Sequence, residues 1–346
     1  MHAGQMPMKS LPKSYNPNRN TALIVTALVF FLLSALISLL LGSAKLGVAD
    51  IIEVILRGKS NTANGNIFLF VRLPRTLACL VCGGALAVSG AVIQGVFGNR
   101  LASPSIIGVN SGAGLAVTVC VAFGLYGSWA MSAFAFLGAF LSVLLVSAIA
   151  HKSRASRGTV ILLGVALNSL LGAFSDAIVT LIPEANVLSN DFKVGEFSGV
   201  TFQKLIPVVI LCTLAMIFLS SLTNELDIIT LGDESAISLG LDIHIYRTLF
   251  LILAALLAGC AVSIAGLLSF VGLIVPHIIR RISGGSHRTL LPLCALFGGA
   301  FVCLCDTVAR TAFAPYEIPV GIIMAFVGAP FFILLLIRGK GGHSNA

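Results

Sequence analysis

Long apolar runs recur along this 346-residue chain, and they constrain its fold more than any other feature. The sequence is 58% hydrophobic and only 10% charged. Many of its runs reach the length of about 18 or more residues that a helix needs to cross a bilayer. The net charge of +8 does not indicate a nucleic-acid-binding face, because the basic residues lie in short gaps between apolar runs. The sequence predicts an all-α integral membrane protein.

The apolar runs divide into ten predicted transmembrane helices. Residues 248–281 are too long for one helix at about 1.5 Å per residue, and Gly266 offers the break between two of them. The ten predicted spans are residues 21–42, 76–97, 105–124, 129–150, 159–182, 205–222, 248–265, 267–281, 290–312 and 318–337.

The distribution of Lys and Arg predicts the orientation. With the N-terminus in the cytoplasm, the inner segments hold thirteen of these residues and the outer segments seven. Residues 1–20 are then a cytoplasmic tail, 21–338 the transmembrane domain and 339–346 a second cytoplasmic tail. The first apolar run is about 20 residues, longer than the roughly 7–15 of a signal-peptide core, so we expect it to remain as a span.

A short pattern occurs twice along the chain. Arg75-Thr76-Leu77 opens a run that reaches Pro104, and Arg247-Thr248-Leu249 opens one that reaches Pro276, so the spacing is 29 residues in both copies (104 − 75 and 276 − 247). The orientation above places Arg75 outside and Arg247 inside. The pattern is either a chance match or an inverted internal repeat, as in many transport proteins.

Eight cysteines all fall within predicted spans, and Cys79 and Cys82 form a CxxC pattern. In a helix at lipid depth such cysteines are more often small packing residues than metal ligands or redox centres. We therefore expect no metal and no cofactor. His277 is a lone histidine at the inner end of a predicted helix, where a packing or capping role is more common than metal binding.

Several blocks in a fixed order resemble the FecCD family, the permease subunits of ATP-driven importers for iron chelates, haem and cobalamin. The resemblance extends from about Leu46 to Arg338, and Arg100 departs from the proline that is common at its position. The blocks are Val71-Arg72-Leu73-Pro74-Arg75, Gly83-Gly84-Ala85-Leu86-Ala87-Val88-Ser89-Gly90-Ala91-Val92-Ile93-Gln94, Asn99-Arg100-Leu101-Ala102-Ser103-Pro104 and Ile107-Gly108-Val109-Asn110-Ser111-Gly112-Ala113-Gly114.

This resemblance implies a BtuC-like, type II ABC importer permease fold that works as a homodimer or with a paralogue. It implies a multi-pass protein of the plasma or inner membrane, two cytoplasmic ATPase subunits and an extracytoplasmic substrate-binding protein. Iron-siderophore is the expected substrate, with haem and cobalamin as alternatives. ATP hydrolysis belongs to the partner, so the chain itself is not an enzyme.

Arg72 and Arg75 run against the positive-inside rule at the predicted outer surface. They either reach lipid phosphates or offer fixed charge to a docking partner. The resemblance implies docking to acidic residues of the binding protein, with Arg57 and Lys59 of the same outer loop as further contacts. Exposed pairs of this kind guide encounter more than they add affinity.

A polar block between the sixth and seventh spans predicts a short helix. Asp233 and Glu234 lie where acids complement the positive end of a helix, and Gly240 lies where a C-terminal glycine is common. Ala236 and Leu239, three residues apart, are expected to share a face. From composition this is an ordinary surface helix; the resemblance implies that residues 232–240, which include Gly232 and which we name the coupling element, contact the ATPase.

Polar side chains within the spans are candidates for the transport path, since such groups at lipid depth face a bundle interior or water. Interhelical hydrogen bonding is the alternative for each of them. In the ninth span, Asp306 and Arg310 are spaced i,i+4 and are expected to form a structural ion pair rather than a proton relay. The candidate path residues are Gln94, Asn168, Gly172, Ser175 and Asp176.

Two other classes of function remain open from the sequence. An ion-coupled secondary transporter also contains inverted repeats, but it moves substrate without an ATPase. An intramembrane hydrolase needs a catalytic set such as HExxH, and neither Asp176 nor Asp306 has an evident catalytic partner in the sequence.

Overall fold

The computed structural model describes residues 17–42, 62–153 and 155–340, and within them the chain is helical. A helix occupies each of the ten predicted segments, and three further helices lie between them. The helices are α1 Pro17–Leu40, α2 Ala63–Phe97, α3 Val109–Ala122, α4 Ser128–Lys152, α5 Arg157–Leu181, α6 Ala185–Val194, α7 Phe202–Ser221, α8 Thr223–Thr230, α9 Asp233–Ser238, α10 Ile243–Ala265, α11 Val271–Ser283, α12 His287–Thr311 and α13 Val320–Lys340.

Seven of the described helices are long and apolar enough to cross a membrane: α1, α2, α4, α5, α7, α10 and α12. The apolar part of α13, Val320–Leu335, and the whole of α3 are shorter, and α11 has 13 residues. Large apolar side chains remain exposed on the outer helices, for example Leu141 (58%) and Ile217 (63%), as expected where lipid replaces water. The chain is a multi-pass membrane protein, while the count of ten crossings stays a prediction.

Helix α2 forms the centre of the bundle and packs against α10, α11 and α12. Its small residues allow this, because glycine lets two helix backbones approach closely. A Cβ atom added at Gly83 would lie 2.3 Å from the carbonyl oxygen of Gly298, and one at Gly90 would lie 1.9 Å from that of Gly272. The small-residue stretch of the sequence is therefore a packing surface.

Several predicted boundaries differ from the structure, and two of the differences have a clear local cause. Helix α2 starts 13 residues before the predicted position 76 (76 − 63), since a wide π-helical turn at Phe68–Arg72 carries it past Pro74, which has no amide hydrogen. Helix α3 starts late because Gly108 adopts φ +100° after the short 3₁₀ turn Pro104–Ile107. The predicted break at Gly266 is confirmed: α10 ends at Ala265, and Gly266 has φ +69°.

The two arginines of the repeated pattern lie at opposite ends of the bundle. Arg247 shares an ion-pair cluster with Arg157, whose side chain approaches Gly98 at the C-terminal end of α2. Arg75 lies at the N-terminal end of α2. Helices α2 and α10 are in contact along their length and run antiparallel, with the hydroxyl of Ser89 donating to the carbonyl of Ala254.

Candidate functional site

The predicted coupling element is a short helix held between two glycines. Gly232 precedes it with φ +116°, and Gly240 follows it with φ +80°. The amide of Gly240 donates to the carbonyl of Ile237, and the amide of Leu241 donates to that of Ala236. This is the Schellman arrangement, in which the residue after the helix takes the left-handed conformation that glycine accepts most easily. The predicted roles of Asp233, at the helix start, and Gly240 match this geometry.

Asp233 ties the coupling element to two of the long helices. One carboxylate oxygen accepts a hydrogen bond from Arg157 Nε of α5 at 2.8 Å, and the other accepts one from Arg247 Nη2 of α10 at 2.8 Å. Partial burial would raise the pKa of Asp233, but the bonds from Arg247 and Arg157 outweigh it and hold the pKa below its ordinary value. The contact is thus ionic at neutral pH, and it mechanically links α9 to α5 and α10.

Apolar side chains are exposed in and beside the coupling element. Ile237 and Leu239 are 61% and 63% exposed, and Leu231, which immediately precedes the element, is 65% exposed, whereas Ala236 is fully buried. That Ala236 and Leu239 share a face stays a prediction: the two differ in burial, while the amide of Leu239 still donates to the carbonyl of Ser235 as in a regular turn. Glu234 is also exposed and forms no ion pair within the described part of the chain.

A second contact, which the sequence did not reveal, anchors α8 beside the coupling element. Asp227 accepts from the backbone amide of His287 at 2.9 Å and from the hydroxyl of Ser286 at 3.2 Å, so it caps the start of α12. Partial burial would raise the pKa of Asp227, yet its hydrogen bonds with His287 outweigh this and lower it. Nothing in the sequence pairs residues 60 positions apart.

The outward arginines are not presented to solvent. Arg72 is 3% exposed and donates to the carbonyls of Leu39 and Leu40, at 2.8 and 2.9 Å. Arg75 is 8% exposed, and its guanidinium lies 2.9 Å from Asp306 and 2.7 Å from Glu317. The prediction of exposed charge at these two residues is wrong, because partners within the chain hold both side chains. Arg57 and Lys59 lie outside the described residues.

The predicted pair in α12 is part of a larger buried network. Arg310 Nε lies 3.3 Å from Asp306, and Arg310 Nη2 donates to the backbone carbonyl and the hydroxyl of Ser38 in α1. Asp306 is fully buried, and its carboxylate also accepts a hydrogen bond from Arg75 Nε. One carboxylate thus joins α2 to α12, and α12 reaches α1 through Arg310. Removing one member of such a buried group leaves an uncompensated charge.

Three of the predicted path residues instead make contacts between helices. Gln94 is 3% exposed and donates to the carbonyl of Gly272 at 3.3 Å. Ser175 is 4% exposed and lies 3.0 Å from the hydroxyl of Thr118. Asn168 donates to the carbonyls of Ser105 and Ile106 and accepts from Ser111. In this conformation Gln94 and Ser175 are buried between helices, and their role in a path stays a prediction.

The remaining two predicted path residues lie at open positions of α5. Asp176 is exposed and makes no ion pair with a described residue. Gly172 is partly exposed, and a Cβ added there would meet no atom within 4 Å. Leu170 and Phe174, 53% and 54% exposed, are each two residues from one of these positions and so lie on the other side of the helix. The described chain thus leaves α5 uncovered both on an apolar side and on the side that carries Gly172 and Asp176.

The eight cysteines are buried and free, and no group of three or more His, Cys, Asp or Glu side chains is placed to hold a metal ion within the described ranges. His277 is 9% exposed, and its ring meets that of Phe331 edge-on at 6.4 Å. Both observations fit packing side chains in an apolar bundle.

Comparison with known proteins places this arrangement in a family. The sequence model of the FecCD transport family matches residues 29–338, nearly the whole chain. This chain belongs to the FecCD transport family. FecCD proteins are permease subunits of ABC importers and not catalytic enzymes, so the exposed coupling element and the uncovered face of α5 are surfaces of a membrane subunit that works with partners.

The relatives cover most of the chain. The vitamin B12 import system permease protein BtuC of Yersinia pseudotuberculosis is 36% identical over 282 residues, 80% of this chain and 84% of that protein. The hemin transport system permease protein HmuU of Yersinia pestis is 36% identical over 324 residues, covering 91% and 96%. A structure described as an inward-facing conformation of a metal-chelate type ABC transporter has a TM-score of 0.82 and 30% identity, covering 92% of this chain and 99% of its own.

Proposed function

We propose that this chain is the membrane subunit of an ABC importer of iron-siderophore complexes, fed by an extracytoplasmic binding protein and driven by cytoplasmic ATPase subunits. It acts as a dimer, with an identical copy or a paralogue. Its ten helices cross the plasma or inner membrane with both termini in the cytoplasm, and its two halves are inverted repeats. The end of the bundle that carries the coupling element faces the cytoplasm.

The coupling element is the observation that carries this proposal. Ile237 and Leu239 in the element and Leu231 just before it are exposed. Charged residues lie close to them in the sequence, so we expect these side chains to project into the aqueous phase and not into lipid: Asp233, Glu234 and Asp242. Exposed apolar groups with a polar rim are typical of a protein interface. Force on this surface is delivered through Asp233 to Arg157 and Arg247, and so to α5 and α10.

The exposed face of α5 supports a path between two protomers. A carboxylate such as Asp176 is costly against lipid and is found facing water or another protein chain. With Gly172 beside it, the face has a small-residue position where a bulky solute or a second helix fits. Few specific ligand contacts are expected here, so selectivity resides mainly in the binding protein.

The binding protein docks at the opposite end of the bundle. Arg57 and Lys59 are its predicted contacts there. Arg75 would meet an acidic side chain of the binding protein only by exchanging its ion pair with Glu317, which is 35% exposed and therefore reachable. Arg72 is held by backbone carbonyls and contributes to the shape of this end of the bundle.

Iron-siderophore is proposed as the substrate because such chelates are similar in size to vitamin B12 and hemin, the substrates named for the relatives. Hemin and vitamin B12 are the alternatives. An uptake assay distinguishes these substrates. Proteoliposomes contain the permease, its ATPase and its binding protein, and uptake of labelled ferric siderophore, hemin and cobalamin is measured with and without ATP. ATP-dependent siderophore uptake supports the proposal, whereas uptake of only one of the other ligands reassigns the substrate.

The same vesicles test the mechanism. Uptake by the permease alone under a sodium or proton gradient would show a secondary transporter and overturn the proposal. Glu234→Arg is expected to insert normally but to lose ATP-driven uptake and co-purification of the ATPase. Glu184→Arg, a matched reversal at an exposed position just before α6, is expected to keep the ATPase bound. Normal uptake by Glu234→Arg would remove that residue from the interface.

A further inference from the structure

A groove with apolar walls runs between α1, α11, α12 and α13 on the outside of the bundle. Its volume is about 270 Å³. Phe30 of α1 and Phe297 of α12 line it, with their ring centroids 5.5 Å apart, and Val327 and Phe331 line it from α13. Ile274 and Ile278 of α11 line one side. Ile278 is 38% exposed, so the groove opens outward, where the described helices leave it uncovered.

The same helices carry basic side chains at one end of the groove. Arg19 precedes Phe30 by 11 residues, and Arg281 follows Ile274 by 7 residues. At about 100° per residue these spacings return to nearly the same face of a helix. With a rise of about 1.5 Å per residue, the backbone positions of Arg281 and Arg19 lie roughly 10 and 16 Å along their helices from those of Ile274 and Phe30.

One hydrogen bond fixes the two basic positions next to each other. Arg19 Nη2 donates to the carbonyl of Ile282, the residue after Arg281. Arg281 is exposed and forms no ion pair with a described residue. Neighbouring Arg280 adds further positive charge, with Nε and Nη2 buried and without a hydrogen-bond partner. Asp227, whose charge acts on Arg280, is already bound by His287.

We propose that this groove is a binding site for an anionic phospholipid. The phosphate lies between Arg19 and Arg281, and one acyl chain lies along Phe30, Ile274 and Ile278. The lipid belongs to the leaflet at the coupling-element end, the cytoplasmic leaflet in the proposed orientation. Charge complementarity selects this occupant, since basic pockets between helices on that side of a membrane are suited to anionic headgroups.

The bound lipid would contact four helices that differ in their packing. Helix α1 is the least buried of the seven long helices, with 17% of its apolar window covered by the chain, whereas 61% of that of α12 is covered. A lipid between them covers the exposed side of α1 and bridges it to α11. Lipid bound at this site is therefore expected to stabilise the packing of α1 on the rest of the bundle.

Native mass spectrometry of the full-length permease, exchanged into detergent with phosphatidylglycerol or phosphatidylcholine, tests this proposal. A basic residue near an anionic headgroup contributes about 1 kcal/mol. Arg19→Gln or Arg281→Gln should thus weaken phosphatidylglycerol binding about fivefold, and both together about 30-fold. Ile278→Trp, which fills the groove and leaves the charges, should also remove bound lipid.

Arg288→Gln is the matched control. Arg288 is an exposed arginine at the same end of α12, but it precedes Phe297 by nine residues and so lies on the opposite face of that helix. This variant is expected to bind phosphatidylglycerol as the unaltered chain does. Equal loss in Arg288→Gln, or equal binding of phosphatidylcholine, would show unspecific attraction and overturn the proposal. A change of oligomeric mass in Ile278→Trp, with lipid binding unchanged, would assign the groove to a second copy and overturn it as well.

Discussion

Replacing Gly90 by alanine should separate two central helices of the bundle. The added Cβ atom would lie 1.9 Å from the carbonyl oxygen and 2.5 Å from the carbonyl carbon of Gly272. Both are backbone atoms, so no side chain can rotate away to make room. Helices α2 and α11 must then move apart by more than 1 Å, since ordinary contacts begin near 3.4 Å. The hydrogen bond from Gln94 to the carbonyl of Gly272 weakens with the same movement.

The cost follows from these two effects. Overpacking of a tight core costs about 1–3 kcal/mol, and loss of one interhelical hydrogen bond costs about 1 kcal/mol. The gain in helix propensity from glycine to alanine offsets about 1 kcal/mol. The net destabilisation is thus about 1–3 kcal/mol. At roughly 2 °C per kcal/mol for a chain of this size, the Tm should fall by about 2–6 °C.

Thermal unfolding of the detergent-solubilised permease, followed by size-exclusion chromatography after heating, measures this shift. Gly114→Ala is the control, because Gly114 also lies in a helix and a Cβ atom there would meet nothing within 4 Å. Its Tm should stay equal or rise slightly. If Gly90→Ala and Gly114→Ala melted at the same temperature, the close approach of α2 and α11 would not be a feature of the folded protein.

Three further changes test the ionic contacts and the coupling element. Asp306→Asn should lower the free energy of unfolding by about 3–5 kcal/mol, because it leaves Arg75 and Arg310 buried without their common carboxylate. Glu317→Gln, at a partly exposed position, should lower it by less than about 1 kcal/mol. Equal Tm values for the two variants would contradict a buried network. Gly240→Ala forces a side chain into φ +80° and should reduce ATP-driven uptake by loosening the coupling element, measured against the same assay on unaltered vesicles. The lowered pKa of Asp233 means that its ion pairs stabilise the element above the ordinary value of 3.8 and are lost as the pH falls below it. Hydrogen exchange of the coupling element, corrected for the intrinsic rate, should therefore rise below about pH 4 in the unaltered chain and not in Asp233→Asn.

Local patterns in the sequence determined much of this architecture. The length of each apolar run placed a helix in every predicted segment, because a helix in lipid must satisfy its own backbone. Gly266 marked a real break, and Asp233 and Gly240 correctly indicated the two ends of the helix in the coupling element. The i,i+4 spacing of Asp306 and Arg310 brought the two side chains to one face. Each of these features depends on residues that are neighbours along the chain.

Only the tertiary structure decided which charges are buried and which are available. Arg75 looked like an outward cation, but it meets Asp306, 231 residues away. Asp233 looked like an ordinary helix-start acid, but it binds Arg157, 76 residues away, and so links the coupling element to α5. Ser175 looked like a path residue, but it faces Thr118. Helical periodicity tells which side chains share a face, whereas the partner of that face is set by packing between distant segments.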